Sequence, residues 1–218
     1  MKNIIIGLIG DNRCGKDTFA EILIENYDFR KYAFADCIKD VARLLFGFSE
    51  NQLYGNEKEI IDSNYGISPR EFFQIFGTEF MQLDIYNHLP NLEQKIPKRC
   101  FWSQRTVEDI KQYICNTTDK DRRVVISDIR FLHEVETLQR FITENNNKNN
   151  KNNNNIELHL IKISRNKQPI NTTDVNNTHQ SRTSIQNIPN SLIQYHIVND
   201  TTLENYQIKC KDIVDSLI

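Results

Sequence analysis

An aliphatic run, Ile4-Ile-Ile-Gly-Leu-Ile9, passes straight into Gly10-Asp-Asn-Arg-Cys-Gly15-Lys16 and then into Asp17-Thr-Phe-Ala-Glu-Ile-Leu-Ile24. A β-branched strand, a glycine-bounded loop and a helix with Phe19, Ile22 and Leu23 on one face leave few folds open. Glycines let loop N–H groups turn toward an anion, the new helix presents its positive end, and a lysine ammonium adds a mobile charge. This segment is therefore expected to cradle phosphate, as a nucleotide-binding P-loop does. After the lysine, where such loops usually carry a magnesium-binding hydroxyl, stands Asp17, with Thr18 following. Asp17 either holds magnesium as a hard oxygen ligand, directly or through water, or is an acidic first-turn residue complementing the helix dipole.

With 218 residues, 39% of them hydrophobic, the chain can bury one good core and is expected to build one domain. A net charge of -2 without a long basic run argues against a protein that grips nucleic acid through many phosphates. A mononucleotide partner fits better. Cys14, Cys37, Cys100, Cys115 and Cys210 are odd in number and lack C-x-x-C spacing, so neither a zinc site nor a disulfide framework is indicated and a reduced, cytoplasmic setting is expected. The first apolar run is too short to span a bilayer and is followed by charge at Asp11 and Arg13 instead of a cleavage site. Neither membrane insertion nor secretion is expected.

Patterning along the chain predicts alternating strands and helices, hence an α/β fold with a mostly parallel sheet between helical layers. Arg30 to Ala35 reads as a strand, and Asp36 to Phe46 as a helix with Val41, Leu44 and Leu45 on one face and Gly47 closing it. Phe48 to Ile67 reads as irregular. Ser68-Pro69-Arg70-Glu71 then stacks a cap, a first-turn proline and a capping-box glutamate before a helix carrying Phe72, Phe73, Ile75, Phe76 and Phe80 inward. A long loop around Pro90 to Trp102 leads to another amphipathic helix with Val107, Ile110 and Ile114. Val124 to Asp128 is a buried strand ending in a carboxylate, a helix runs from Phe131 to Thr143, and Asn145 to Asn155 is a polar tract expected to be disordered. A strand over Ile156 to Ile163, a polar stretch over Ser164 to Asn190, a short strand from His196 to Asp200 and a helix from Leu203 to Leu217 complete the chain.

Several segments together resemble the deoxynucleoside monophosphate kinases of large DNA viruses and phages. These are Gly15-Lys-Asp-Thr18, Phe34-Ala-Asp-Cys-Ile-Lys39, Ser68-Pro-Arg-Glu-Phe-Phe-Gln-Ile-Phe-Gly-Thr-Glu79, Ser127-Asp-Ile-Arg-Phe-Leu-His-Glu134 and Val198-Asn-Asp200. The resemblance implies a three-layer α/β/α P-loop kinase fold with a five-stranded sheet, an acceptor-binding helical region over about residues 36 to 105, and a mobile lid over about 164 to 190. It implies ATP and magnesium, transfer of the γ-phosphoryl to a deoxynucleoside monophosphate such as dGMP or dTMP, and a homodimer as an option. Donor contacts then fall on Asp11, Asn12, Arg13, Cys14, Gly15, Lys16, Asp17 and Thr18. Phosphomevalonate kinases of the animal type and dephospho-coenzyme A kinase look like relatives, which leaves the acceptor open. Where the family often has His-x-Ser-Glu, this chain reads His179-Gln-Ser-Arg182.

Phosphoryl transfer needs dispersed positive charge and an aligned acceptor more than covalent chemistry. Lys16 is expected on the β/γ-phosphates. Arg130, just past the sheet edge, either clamps the acceptor phosphate or pairs with Glu134 one turn on. Arg165 is either a lid arginine or a solvated loop residue. Asp128 either holds magnesium through water or caps the next helix, and Asp36 orients the acceptor, caps its helix, or both. Lys39 and Arg43 share a face with Asp36, as an anion-facing stripe or as solvating charge. Arg70, unfavourable against its helix dipole, points to an anionic ligand. Gln74 and Glu79 reach base or sugar, or merely form a polar face, and Phe101 and Trp102 either stack the base or anchor a loop. A GTPase is excluded, because Asp128-Ile-Arg-Phe131 lacks the D-x-x-G glycine and Asn166-Lys-Gln-Pro169 lacks the guanine-reading aspartate. The remaining alternatives are a kinase of another phosphate ester and a silent nucleotide-binding regulator.

Overall fold

The computed structural model describes residues 3–117, 122–148, 155–165 and 185–218. The chain divides into two compact units, Met1–Ala33 with Ile110–Ile218, and Phe34–Asp109.

The first unit is built on a five-stranded sheet. Its strands are β1 (Asn3–Ile9), β2 (Arg30–Tyr32), β3 (Arg122–Ile129), β4 (Ile156–Ser164) and β5 (Tyr195–Val198), in the order β2-β3-β1-β4-β5. All four neighbouring pairs are parallel. Parallel neighbours need long crossovers, and the helices supply them. Central β1 pairs with a strand on each side and every one of its residues is buried, which is why it reads as a continuous apolar run and not as an alternation. Ile4, Ile6 and Leu8 point to one face, where Phe19 and Leu23 of α1 (Lys16–Tyr27) join a core that also includes Tyr206, Cys210 and Val214. The second unit holds α2 (Asp36–Phe46), α3 (Glu50–Tyr54), α4 (Pro69–Gln74), α5 (Ile85–His88) and α6 (Pro90–Glu93), while α7 (Phe101–Asn116) continues from it into the first. On the sheet, α8 (Leu132–Lys148) lies against β4 and buries Val135, Leu138 and Phe141, and α9 (Leu203–Leu217) packs against α1.

Several expectations change. β2 stops at Tyr32, where its pairing with Ile126 of β3 ends. On α2 the buried face is Ile38 and Ala42, whereas Leu44 is 85% and Leu45 56% exposed. Two apolar stripes compete on that helix, and the cluster of Phe48, Leu53, Phe72 and Trp102 selects the first. The stretch expected to be irregular contains α3, opened by a complete capping box between Ser49 and Gln52, and a 3-10 turn at Asn56–Glu59. At Ser68 the serine hydroxyl accepts from the Glu71 N–H with Pro69 in the first turn, as the spacing predicts. Beyond Gln74 the helix widens into a ten-residue π-helix, Ile75–Asp84, which alters the facing positions. Ile75, expected inward, is 51% exposed, because it lies away from the aromatic face on which Phe72 and Phe76 stack at 5.0 Å and Phe76 and Phe80 at 5.8 Å.

The helix expected to end at Thr143 runs on to Lys148, so the asparagine tract is partly structured. Asn146 pairs with both main-chain groups of Ile156, accepting from its N–H at 2.8 Å and donating to its carbonyl at 3.1 Å. Residues 149–154 lie outside the described residues, as do the greater part of the expected lid, 166–184, and the His179-to-Arg182 motif. Among the described residues no helix is long and apolar enough to cross a membrane.

Candidate active site

The loop after β1 is shaped by two glycines. A Cβ on Gly10 would overlap the carbonyl oxygen of Ile163 on β4 and stand 2.6 Å from Cys14 Sγ. Gly15 takes φ 113°, a conformation that side chains disfavour. It starts α1 without a side-chain cap, so the helix's first N–H groups and its positive end are presented by the loop. Lys16 is 6% exposed, and its ammonium donates to the carbonyls of Gly10 at 2.8 Å and Asp11 at 2.7 Å. Burial lowers its pKa most and the nearby Arg130 charge lowers it further, against the pull of Asp17 and Asp128. Of the other donor-loop candidates, Asn12, Arg13 and Asp17 are exposed, Asp11 and Thr18 half-buried, and Cys14 buried. Arg13 has φ 60°.

β3 delivers Asp128 and Arg130 to the same edge of the sheet. Its register against β1 shifts between Gly7 and Ile9, so Ser127 and Asp128 face a single β1 residue in a bulge at the strand's carboxyl end. The Arg130 guanidinium donates to Asn12 Oδ1 in the loop after β1 at 2.9 Å. This is not the pairing with Glu134 that the helical spacing allowed. The buried Glu134 carboxyl instead accepts from the main-chain N–H groups of Arg130 at 2.8 Å and Phe131 at 3.0 Å, and so fixes the turn out of β3.

Burial first, and Asp128 second, push Glu134 up to about 8 from an ordinary 4.5. In that window the folded state holds a proton that the unfolded state has released, so the contribution is full below about pH 4.5 and is lost as pH rises toward 8. Melting temperatures measured from pH 5 to 8 should therefore fall more steeply for the native protein than for Glu134→Gln. Parallel curves would show that Glu134 titrates normally.

Two further side chains meet the loop without having been singled out from the sequence. Asn199 donates from Nδ2 to the Cys14 carbonyl and Tyr206 from its hydroxyl to the Gly15 carbonyl, both at 2.9 Å. Asn199 lies in the Val198-Asn-Asp200 motif, which was the available signal. Nothing local marks Tyr206. Arg165 is exposed immediately after β4.

In the second unit the expected acceptor residues carry partners of their own. Asp36 is the first residue of α2, whose cap position is Ala35, so it is not the N-cap. Lys39 lies 3.4 Å from Asp36 and its ammonium stands 4.1 Å from the Tyr54 ring centroid. Arg43 pairs with Asp40 at 3.0 Å and with Glu50. The carboxylate that answers Arg70 is Glu59, at 2.9 Å from Nε. Gln74 is half-buried at the end of α4. Trp102 sits inside α7, 8% exposed, and donates from Nε1 to the Gly77 carbonyl at 2.7 Å. Of the two readings open at this position the anchor holds and the base-stacking face does not, with the anchor in a helix and not in a loop. Phe73 and Phe76 pack on the same cluster.

The family model for deoxynucleotide monophosphate kinases matches residues 4–54, the stretch from β1 through α3. A protein of Acanthamoeba polyphaga mimivirus that carries the provisional name deoxynucleotide monophosphate kinase is 31% identical over 218 residues, covering 98% of this chain and 97% of its own. The chain belongs to the deoxynucleotide monophosphate kinase family. It is accordingly a phosphotransferase, and ATP is the nucleotide substrate that a kinase of this family implies. Among solved structures the kinase is similar to dephospho-CoA kinase from Campylobacter jejuni, at 13% identity and a TM-score of 0.48, with 100% of this chain and 98% of that one covered. TT1252 from Thermus thermophilus is similar at 12% identity and a TM-score of 0.45, with both chains fully covered.

Proposed function

We propose that this kinase moves the γ-phosphoryl group of ATP to a deoxynucleoside monophosphate, forming ADP and the deoxynucleoside diphosphate. The observation that carries the reading is the meeting of two cations at one glycine-framed loop. Lys16 lies within it, and Arg130 is tied to it through Asn12. Two cations at one loop favour a polyanion there.

An oxygen of the acceptor monophosphate attacks the γ-phosphorus, the bond to the β-phosphate bridging oxygen breaks, and that oxygen leaves with ADP. Lys16 and the first N–H groups of α1 hold the donor phosphates, and Arg130 grips the acceptor phosphate facing them. Asp17, in the first turn of α1, and Asp128, at the carboxyl end of β3, fit magnesium as oxygen donors. Bound there, the ion would neutralise charge on the donor phosphates. Asp36, Lys39, Arg43, Arg70 and Gln74 are assigned to the acceptor. The exposed ion pairs of Arg43 and Arg70 hold weakly, so a phosphate can replace their carboxylates. Arg165 is assigned to the lid.

A coupled ADP-release assay with magnesium-ATP against deoxynucleoside monophosphates, ribonucleoside monophosphates and phosphomevalonate tests the acceptor. One or more deoxynucleotides should stand clear of the rest. Background turnover with every acceptor would remove the proposal, and preference for phosphomevalonate would move it to another phosphate ester. Arg130→Ala should raise KM for the monophosphate by about 10- to 100-fold, the loss of charge-assisted bonds. An unchanged KM would make the arginine structural.

A further inference from the structure

The carboxyl end of the chain grips the phosphate loop from behind. Asn199 directly follows β5, and its main-chain N–H donates to the Ser164 carbonyl at 2.7 Å, which extends the β4–β5 ladder and holds its backbone. Tyr206 lies one turn into α9, a helix capped by the Thr202 hydroxyl, and is 1% exposed. Their side chains take two successive carbonyls of the loop, those of Cys14 and Gly15. The Gly15 carbonyl also receives the Phe19 N–H at 3.1 Å as the first bond of α1.

Both peptide bonds concerned are trans. In a trans peptide the C=O and the following N–H point in opposite directions. Fixing the Cys14 carbonyl therefore turns the Gly15 N–H to the other side, and fixing the Gly15 carbonyl does the same for the Lys16 N–H. These are the leading donors of the uncapped helix start. The fit has no slack, since a Cβ on Gly15 would stand 2.6 Å from Asn199 Nδ2 and 3.0 Å from the Tyr206 hydroxyl oxygen. Desolvation raises the Tyr206 pKa, so the phenol stays a donor.

We infer that Asn199 and Tyr206 are positioning residues of the donor site, which orient the Gly15 and Lys16 N–H groups toward the nucleotide phosphates by holding the preceding carbonyls. The inference rests on the donor reading of the loop given above. Tyr206→Phe keeps the buried ring and removes only the hydroxyl, while Asn199→Asp keeps the shape and sets a carboxylate against a carbonyl. Each variant would be compared with the native kinase for KM of ATP, KM of the preferred acceptor, melting temperature, and inhibition by inorganic tripolyphosphate competing with ATP.

Tyr206→Phe should raise KM for ATP about three- to tenfold, the range of one hydrogen bond, and Asn199→Asp should raise it more. The tripolyphosphate inhibition constant should rise by the same factor, with the acceptor KM unchanged. Three results would overturn the inference: an unchanged KM for ATP, equal rises in both KM values with a lower melting temperature, or weaker ATP binding with unchanged tripolyphosphate inhibition. The last would mean that these residues serve the base. Lys16→Ala separates the two readings. If it also leaves tripolyphosphate inhibition intact, the donor assignment of the loop fails; if it alone weakens that inhibition, only the role of Asn199 and Tyr206 falls.

Discussion

Replacing Lys16 by alanine is expected to lower kcat on the order of 10²- to 10³-fold, the usual consequence of removing one fixed donor from a charge-developing centre. The structure explains why the residue has no substitute among its neighbours. Its ammonium is buried at the start of α1 and bonded to two carbonyls of the loop itself, so it stays at the site whether or not the side chains around it move. Arg130 approaches the loop from β3 through Asn12 and lies outside the glycine frame. Lys16→Met, which keeps the apolar stem, should lose as much turnover as the alanine variant, because the charge and not the packing is at stake. Either variant retaining more than about a tenth of native kcat would detach Lys16 from the transferring phosphate. Thermal melts run in parallel should separate this from unfolding.

Gly15→Ala is the second large effect, and here stability falls together with activity. At φ 113° an added Cβ is strained before any neighbour is considered, at a cost of about 1–2 kcal/mol. The same atom would crowd Asn199 Nδ2 and the Tyr206 hydroxyl, and overpacking of this kind adds about 1–3 kcal/mol. A drop in melting temperature of roughly 10 °C is expected for a chain of this size, with ATP-dependent turnover falling toward background. If the variant melted with the native protein, the left-handed turn at the start of α1 would not be required.

The glycine-framed loop between β1 and α1 was legible because it is local. Within Gly10 to Lys16 the glycines, the lysine and the flanking periodicities stand side by side, and no distant residue is needed to recognise them. The strand order β2-β3-β1-β4-β5 accords with the alternating pattern, and a carboxylate at the end of the third strand was legible as a sheet-edge residue. Other readings went wrong where two local solutions were equally good. On α2 Val41 packs with Ile38 and Ala42 against the aromatic cluster of its unit, whereas Leu44 and Leu45, expected on the same face as Val41, are exposed, and only that cluster chooses between them. Ile75 was counted inward with its aromatic neighbours, although at about 100° per residue it lies away from the face shared by Phe72, Phe73, Phe76 and Phe80, and it is exposed. Trp102 was assigned to a loop because the start of α7 at Phe101 carries no cap signature as clear as that at Ser68.

By itself, then, the sequence determined a glycine-framed strand, loop and helix, together with the apolar strands that build a parallel sheet around them, since both depend on neighbours in the chain. Tertiary structure alone decided which distant groups complete the loop. Arg130 reaches Asn12 across 118 residues, Asn199 reaches Cys14 across 185, and Tyr206 reaches Gly15 across 191. Those contacts exist because parallel pairing brings the carboxyl ends of β1, β3, β4 and β5 to one edge, a consequence of strand order that periodicity along a single segment does not encode.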